Sequence, residues 1–122
     1  MKQINVGIIG TGWCGGIRAN TCAASTLVDE LHIAEINEDR LKEIISETKP
    51  TSASTDYKDI ITNDRLDTII ISATPETTHY PIAKEALLAG KHVFLEKPLA
   101  LTLEEADELI QIQKENNLKF AI

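Results

Sequence analysis

Hydrophobic positions along the chain fall into two alternating patterns. Compact, β-branched runs at Ile4–Ile9, Leu31–Ile36, Thr68–Ser72, His92–Leu95 and Leu118–Ile122 read as strands, with Thr51–Ser54 a short and weaker candidate. Between them, Ile17–Ser25, Asp39–Ser46, Asp56–Thr62, His79–Ala89 and Leu103–Glu115 carry apolar residues at helical spacing. This alternation predicts βαβ units: an α/β, doubly wound, mostly parallel sheet with a helix layer on each face. Ile69, Ile70 and Ile71 are consecutive, as expected of a strand covered on both sides.

Helix boundaries carry their own signals. Thr102 and Glu105 have the spacing of a capping box, and Leu103, Ala106, Leu109, Ile110 and Ile112 give the helix behind them an apolar stripe. Asn37 is placed to cap the second helix, with Glu38 and Asp39 near its positive end. Gly90 stands where a glycine ends the fourth.

Composition bounds the possible partners. The 122 residues hold 12 Lys+Arg against 19 Asp+Glu, a net charge of −7, with no block of like charge. A nucleic-acid or anionic-membrane partner would reward clustered cations, so neither is expected. The apolar runs are too short to span a bilayer and the N-terminus leads into no signal-peptide core, so a cytoplasmic protein is expected. Cys14 and Cys22 lie eight positions apart, about 12 Å on one helix, and read as reduced thiols without metal-ligand spacing.

The first chemical signal is Gly10–Thr11–Gly12–Trp13–Cys14–Gly15, directly after the first strand. Gly10 permits a tight turn, Gly12 removes a Cβ from the path of a pyrophosphate, and Gly15 allows helix and strand to approach. The helix N-terminus then offers free N–H groups to the diphosphate. Thr11, Trp13 and Cys14 complete this candidate cradle; Trp13 either lies against the ligand or covers the first helix. Glu35, 20 residues beyond Gly15, is placed to accept hydrogen bonds from the adenosine ribose. A carboxylate there repels a 2′-phosphate, which favours NAD over NADP. Arg40 either reaches the adenine side or pairs with Glu38 or Glu43.

Ala73, Thr74 and Pro75 follow the central strand where an open parallel sheet binds ligands. Downstream, Ala89–Gly90–Lys91–His92–Val93 continues to Glu96–Lys97–Pro98. This segment resembles the A-G-K-H-V-x-x-E-K-P signature of the Gfo/Idh/MocA oxidoreductases. The T-P-x-x-x-H of Thr74–His79 and the glycine motif are similar to the same family, in order and spacing.

The resemblance implies a Rossmann fold and a nicotinamide-dependent enzyme acting on sugars, polyols or related small molecules. It implies that Lys97 assists hydride transfer at the reacting oxygen, that Glu96 and Pro98 shape the nicotinamide pocket, and that His79 packs near it. Glu96 is also a natural ion-pair partner for Lys97. His32 shows no functional partner, His92 reads as structural, and Tyr80 and Pro81 read as helix-start packing. Family members continue into a second α/β domain that forms the substrate wall and commonly the oligomer interface. Residues 1–122 are therefore expected to be the NAD(P)-binding domain of a longer, homo-oligomeric enzyme, inactive alone. A non-catalytic NAD(H) sensor, or a module for S-adenosylmethionine, shares the glycine turn and Glu35 but does not explain Glu96–Lys97–Pro98.

Overall fold

The computed structural model describes residues 2–122, so the first residue of the expected domain lies outside it. Six strands, β1 Ile4–Ile9, β2 Val28–Ala34, β3 Ser52–Ser54, β4 Thr68–Ile71, β5 His92–Leu95 and β6 Phe120–Ala121, form one sheet in the order β3-β2-β1-β4-β5-β6. Every neighbouring pair is parallel. The strand order reverses between β1 and β4, and there the chain ends of adjacent strands diverge to leave a crevice.

Helices α1 Trp13–Ala24, α2 Glu38–Thr48, α3 Lys58–Ile61, α4 His79–Leu88 and α5 Leu103–Glu115 cover the two faces. Val6, Ile8, Leu31 and Ile33 pack with Ala19 of α1 and Ile44 of α2. On the other face Ile69, Ile71, Val93 and Leu95 pack with residues of α3, α4 and α5, including Ile60, Leu87 and Leu109. The isoleucine run splits between them. Ile69 and Ile71 are 0% exposed, whereas Ile70 is only half-buried, as are its neighbours His92 and Phe94. The expectation of full cover on both sides therefore fails at β4 and β5, because α1 and α2 lie over the β1–β2 half of their face.

Several boundaries move for physical reasons. The helix expected from Ile17 begins at Trp13, with Gly12 as its N-cap in extended conformation. Gly15 and Gly16, weak helix formers on their own, are buried inside the first turn and a half, where close packing holds them in the helix. β2 stops at Ala34 rather than Ile36, although Glu35 N still donates to Ser54 O at 3.0 Å. Asn37 caps α2 by accepting from Arg40 N at 2.9 Å. Thr102 accepts from Glu105 N at 3.1 Å, but the Glu105 carboxylate reaches back to Leu101 N at 3.2 Å rather than to Thr102 N. Gly90 ends α4 at φ 80°.

The opposite edge of the sheet, where the strands begin, is locked by polar groups. Lys91, which the sequence presents only as part of a signature, is 6% exposed and donates from Nζ to Asn63 O at 2.7 Å and Leu66 O at 3.1 Å. His92 accepts from Lys119 N at 3.0 Å, in keeping with a structural residue. His32, which showed no partner in sequence, is buried between Ser52 Oγ at 2.6 Å and Glu30 Oε2 at 3.0 Å. Hydrogen bonds from Arg65 first, and then from His32, hold the Glu30 carboxyl down at about 2.

Replacing Lys91 by Met keeps the length of the stem but leaves two carbonyls without their charged donor. A loss of about 2 kcal/mol in urea unfolding is expected, with NAD affinity unchanged because Lys91 lies at the far end of the strands.

Candidate functional site

The C-terminal ends of β1, β4 and β5 bring three turns side by side. They are the glycine turn Gly10–Gly15, the turn Ser72–Pro75, and Glu96–Lys97–Pro98. Gly10 adopts φ 87°, and a Cβ there would lie 2.6 Å from Ala73 N. A Cβ on Gly15 would lie 2.0 Å from Gly10 O, so α1 can approach the turn only without a side chain. Gly12 differs: a Cβ there would meet nothing within 4 Å. Its missing side chain therefore serves no internal packing and leaves space in front of the helix.

That space opens onto a cavity of about 420 Å³ lined by residues that include Gly10, Gly12, Glu35, Asn37, Ser72 and Ala73. Thr74 and Thr78 border one end of it, and Ile36, Arg40, Thr55 and Tyr57 line it as well. The first helical bond of α1 runs from Gly16 N to Gly12 O at 2.7 Å, and no side chain caps the turn. The N–H groups of Trp13, Cys14 and Gly15 thus precede the helical ladder at its positive end. Ser72 Oγ is buried and has no hydrogen-bond partner. Open space before Gly12, an uncapped helix end and an orphaned hydroxyl fit a dinucleotide with its diphosphate over the turn.

Glu35 sits at the rim of this cavity, 8% exposed. Its Oε1 accepts from Thr11 N and from Thr11 Oγ1, both at 2.8 Å, and Oε2 accepts from Asn37 N at 2.9 Å. Burial pushes its carboxyl up, but the bonds from Asn37 N and Thr11, with the Arg40 charge, outweigh it and hold the group below the usual carboxylate range. Oε2 keeps one acceptor position for a ligand hydroxyl.

Other expected site residues take different places. Thr11 is fully buried; its N–H and hydroxyl go to Glu35 and its carbonyl accepts from Arg40 Nε at 2.7 Å, so it anchors the turn and offers nothing to a ligand. Arg40 also pairs with Glu43 at 3.1 Å and Glu47 at 3.6 Å, not with Glu38. Its guanidinium crosses Gly16, where a Cβ would stand 2.5 Å from Nη2. Trp13 is 85% exposed and borders a separate open groove between α1 and α2. Cys14 is half-buried, and its carbonyl accepts from Arg18 Nη1 at 3.4 Å.

His79, expected to pack beside the cofactor, is 2% exposed and lies beneath the turns instead. Its Nδ1 is 2.8 Å from Pro98 O and its Nε2 2.9 Å from Ala73 O, so it ties the β4 and β5 turns together and has no nitrogen free for a ligand. Ala73 and Thr74 line the cavity, while Pro75 lies beyond it, its carbonyl accepting from Thr78 N at 3.0 Å and Thr78 Oγ1 at 2.7 Å. The ion pair expected between Glu96 and Lys97 does not form. Glu96 Oε2 lies 2.8 Å from Arg18 Nη2, and exposed Lys97 has no ion-pair partner among the described residues. Ser72 and Arg18 were not legible as site residues. Ser72 is a lone hydroxyl after an isoleucine run, which is a usable signal; Arg18 has none beyond its place on α1.

A wholly parallel, doubly wound sheet with a glycine turn opening α1 at the switch in strand order defines a Rossmann-type dinucleotide-binding domain. The chain belongs to the Gfo/Idh/MocA family: residues 4–122 match the family model described as an oxidoreductase family with an NAD-binding Rossmann fold. It is 37% identical over 125 aligned positions to glycosyl hydrolase family 109 protein 2 of Shewanella sp. (strain ANA-3), covering 90% of this chain and 26% of that protein. It is 43% identical over 79 positions to the D-xylose dehydrogenase of Paenarthrobacter nicotinovorans, covering 65% of this chain and 20% of that one. The crystal structure of scyllo-inositol dehydrogenase from Lactobacillus casei with bound NAD(H) and scyllo-inositol superposes with a TM-score of 0.88 at 30% identity, over 98% of this chain and 35% of that one. The chain thus spans about a third or less of the length of these relatives. The matched family fold is an NAD-binding one.

Two outcomes test this geometry. Gly15→Ala is expected to destabilise by more than about 3 kcal/mol in urea unfolding, because backbone must move, whereas Gly12→Ala stays within about 0.5 kcal/mol of the native chain. For Glu35, the folded carboxyl lies below its ordinary value, so the stability it contributes is present at neutral pH and is lost as pH falls below 4.5 toward the folded value. Unfolding measured from pH 7 to pH 3 is expected to show a shallower acid loss in Glu35→Gln than in the native chain.

Proposed function

We propose that this chain binds NAD for an oxidoreductase that moves a hydride between the nicotinamide and the CH–OH carbon of a sugar or polyol. The observation that carries the reading is Lys97: an exposed ammonium without an ion-pair partner, at the end of β5 beside the turns that line the cavity. The named activities of the D-xylose and scyllo-inositol relatives support the substrate class.

Bound NAD supplies the hydride acceptor or donor. The backbone N–H groups of Trp13, Cys14 and Gly15 hold the diphosphate, and Gly12 lets it approach. Glu35 Oε2 accepts from a ribose hydroxyl. Its charge, with Ile36 exposed beside it and Arg40 already committed to Thr11, Glu43 and Glu47, favours NAD over NADP. Ser72, Ala73 and Thr74 border the path toward Lys97. In alcohol oxidation Lys97 Nζ, as the amine, takes the hydroxyl proton; in the reverse direction its ammonium returns the proton to the oxygen. Glu96 and Pro98 hold the turn that carries it, through Arg18 and His79 respectively.

Titration of the chain with NADH, NADPH and S-adenosylmethionine, followed by Trp13 fluorescence, tests the reading. NADH is expected to bind at least about tenfold more tightly than NADPH, and S-adenosylmethionine not to compete. Lys97→Met is expected to leave NADH affinity of the chain within about twofold and, with this domain joined to the remainder of a full-length relative, to lower kcat for inositol or aldose oxidation about 100-fold or more. Failure of both dinucleotides to bind, or full turnover in Lys97→Met, overturns it.

A further inference from the structure

Arg18 of α1 is held at three points. Its Nη2 lies 2.8 Å from Glu96 Oε2, its Nη1 donates to Cys14 O at 3.4 Å, and its guanidinium carbon sits 5.1 Å from the centre of the Phe94 ring. Phe94 and Glu96 are two residues apart at the end of β5 and so share the side of the sheet from which Arg18 reaches them. The side chains of Arg18 and Glu96 are only 28% and 22% exposed, so the pair is shielded from solvent more than a surface ion pair. A planar guanidinium suits this place, over a ring and within ion-pair distance of a carboxylate; an ammonium would not fill it.

We infer that Arg18 is a positioning residue: by taking Glu96 across the sheet it keeps that carboxylate away from Lys97 and leaves the Lys97 ammonium free for a substrate oxygen. Glu96 and Lys97 are chain neighbours of opposite charge in an exposed turn. Without Arg18, the carboxylate left half-buried at the end of β5 would draw in the cation next to it. With Arg18, the negative charge is neutralised from the helix side and Lys97 is unpaired. The same contact joins α1, whose first turn faces the cavity, to the turn bearing Lys97. The inference rests on the reading of Lys97 as the proton-transferring group.

Three charged or titratable groups act on the turn that carries Lys97. They are Glu96 on its own turn, Arg18 on α1, and His79 on α4, whose Nδ1 contacts Pro98 O. Titration of Lys97 by NMR of its 13Cε, in the chain labelled with [13C]lysine and assigned with Lys97→Arg, reads the arrangement without any turnover. Arg18→Gln removes a cation and releases Glu96, and both changes move the Lys97 titration to higher pH, by about 0.5. Adding Glu96→Gln to Arg18→Gln is expected to bring it back to within about 0.2 of the native position. No movement in Arg18→Gln, or none on adding Glu96→Gln, overturns the inference. A staple that only stabilised the fold would lower the melting temperature and leave the titration where it was. Where Arg18→Gln does not fold, the hold is read from the Arg18 side-chain N–H resonances. Slow, resolved Nη signals in the native chain that collapse in Glu96→Gln support it, and a freely rotating guanidinium in the native chain overturns it. A failure of this hold is seen in the titration, whereas a failure of the Lys97 reading is seen as unaltered turnover in Lys97→Met.

Discussion

A closed circuit of hydrogen bonds through one carboxylate fixes the nucleotide end of this domain. Thr11 donates twice to Glu35 Oε1, Asn37 N donates to Oε2, Asn37 in turn accepts from Arg40 N, and Arg40 Nε returns to Thr11 O. The circuit joins the turn after β1, the end of β2 and the first turn of α2. Glu35 follows a strand that has just ended, and Thr11 lies in a turn. Charge-assisted bonds to backbone N–H groups constrain both, and they are strong because Glu35 is nearly removed from water. The absence of a side chain on Gly16 is part of the same arrangement, since Arg40 passes through the space a Cβ would occupy.

From this circuit the rest of the site follows by packing. With the turn fixed, Gly15 can bring α1 against Gly10 and Ser72, and the helix axis points its uncapped end at the crevice between β1 and β4. α1 then lies across to β5 through Arg18, while His79 draws the β4 and β5 turns together from below. The three turns are therefore cross-braced from both faces of the sheet. A ligand over the glycine turn and a substrate beside Lys97 would meet groups whose relative places are set before either arrives.

Much of this was legible in the chain. The β-branched runs gave five of the strands within a few residues, because burial between helix layers leaves a strand little choice of residue. The glycine motif, Glu35 and the Glu96–Lys97–Pro98 turn were visible because each depends on local backbone geometry or on a fixed place at a strand end. Less legible were the partners. That Glu96 would turn to Arg18 rather than to adjacent Lys97 depends on a side chain of α1 reaching the end of β5, which spacing along the chain does not encode. Only the family resemblance placed His79 near the pocket, and the two carbonyls that enclose it come from turns on different strands. The apolar spacing that placed the start of α1 at Ile17 does not register Gly15 and Gly16, and only the sheet beneath explains why they stand inside the helix.

The net charge of −7 bears on how such a domain holds an anionic cofactor. At the crevice, the two carboxylates nearest the three turns are each neutralised by a specific protein group, Glu35 by N–H bonds with Arg40 close by, and Glu96 by Arg18. Neither projects an uncompensated charge toward the helix end. The attractive field there comes from backbone dipoles, which need no lysine or arginine and are not diminished by acidic side chains elsewhere on a screened surface. An overall acidic surface and an anion-binding crevice are thus compatible because they act over different distances.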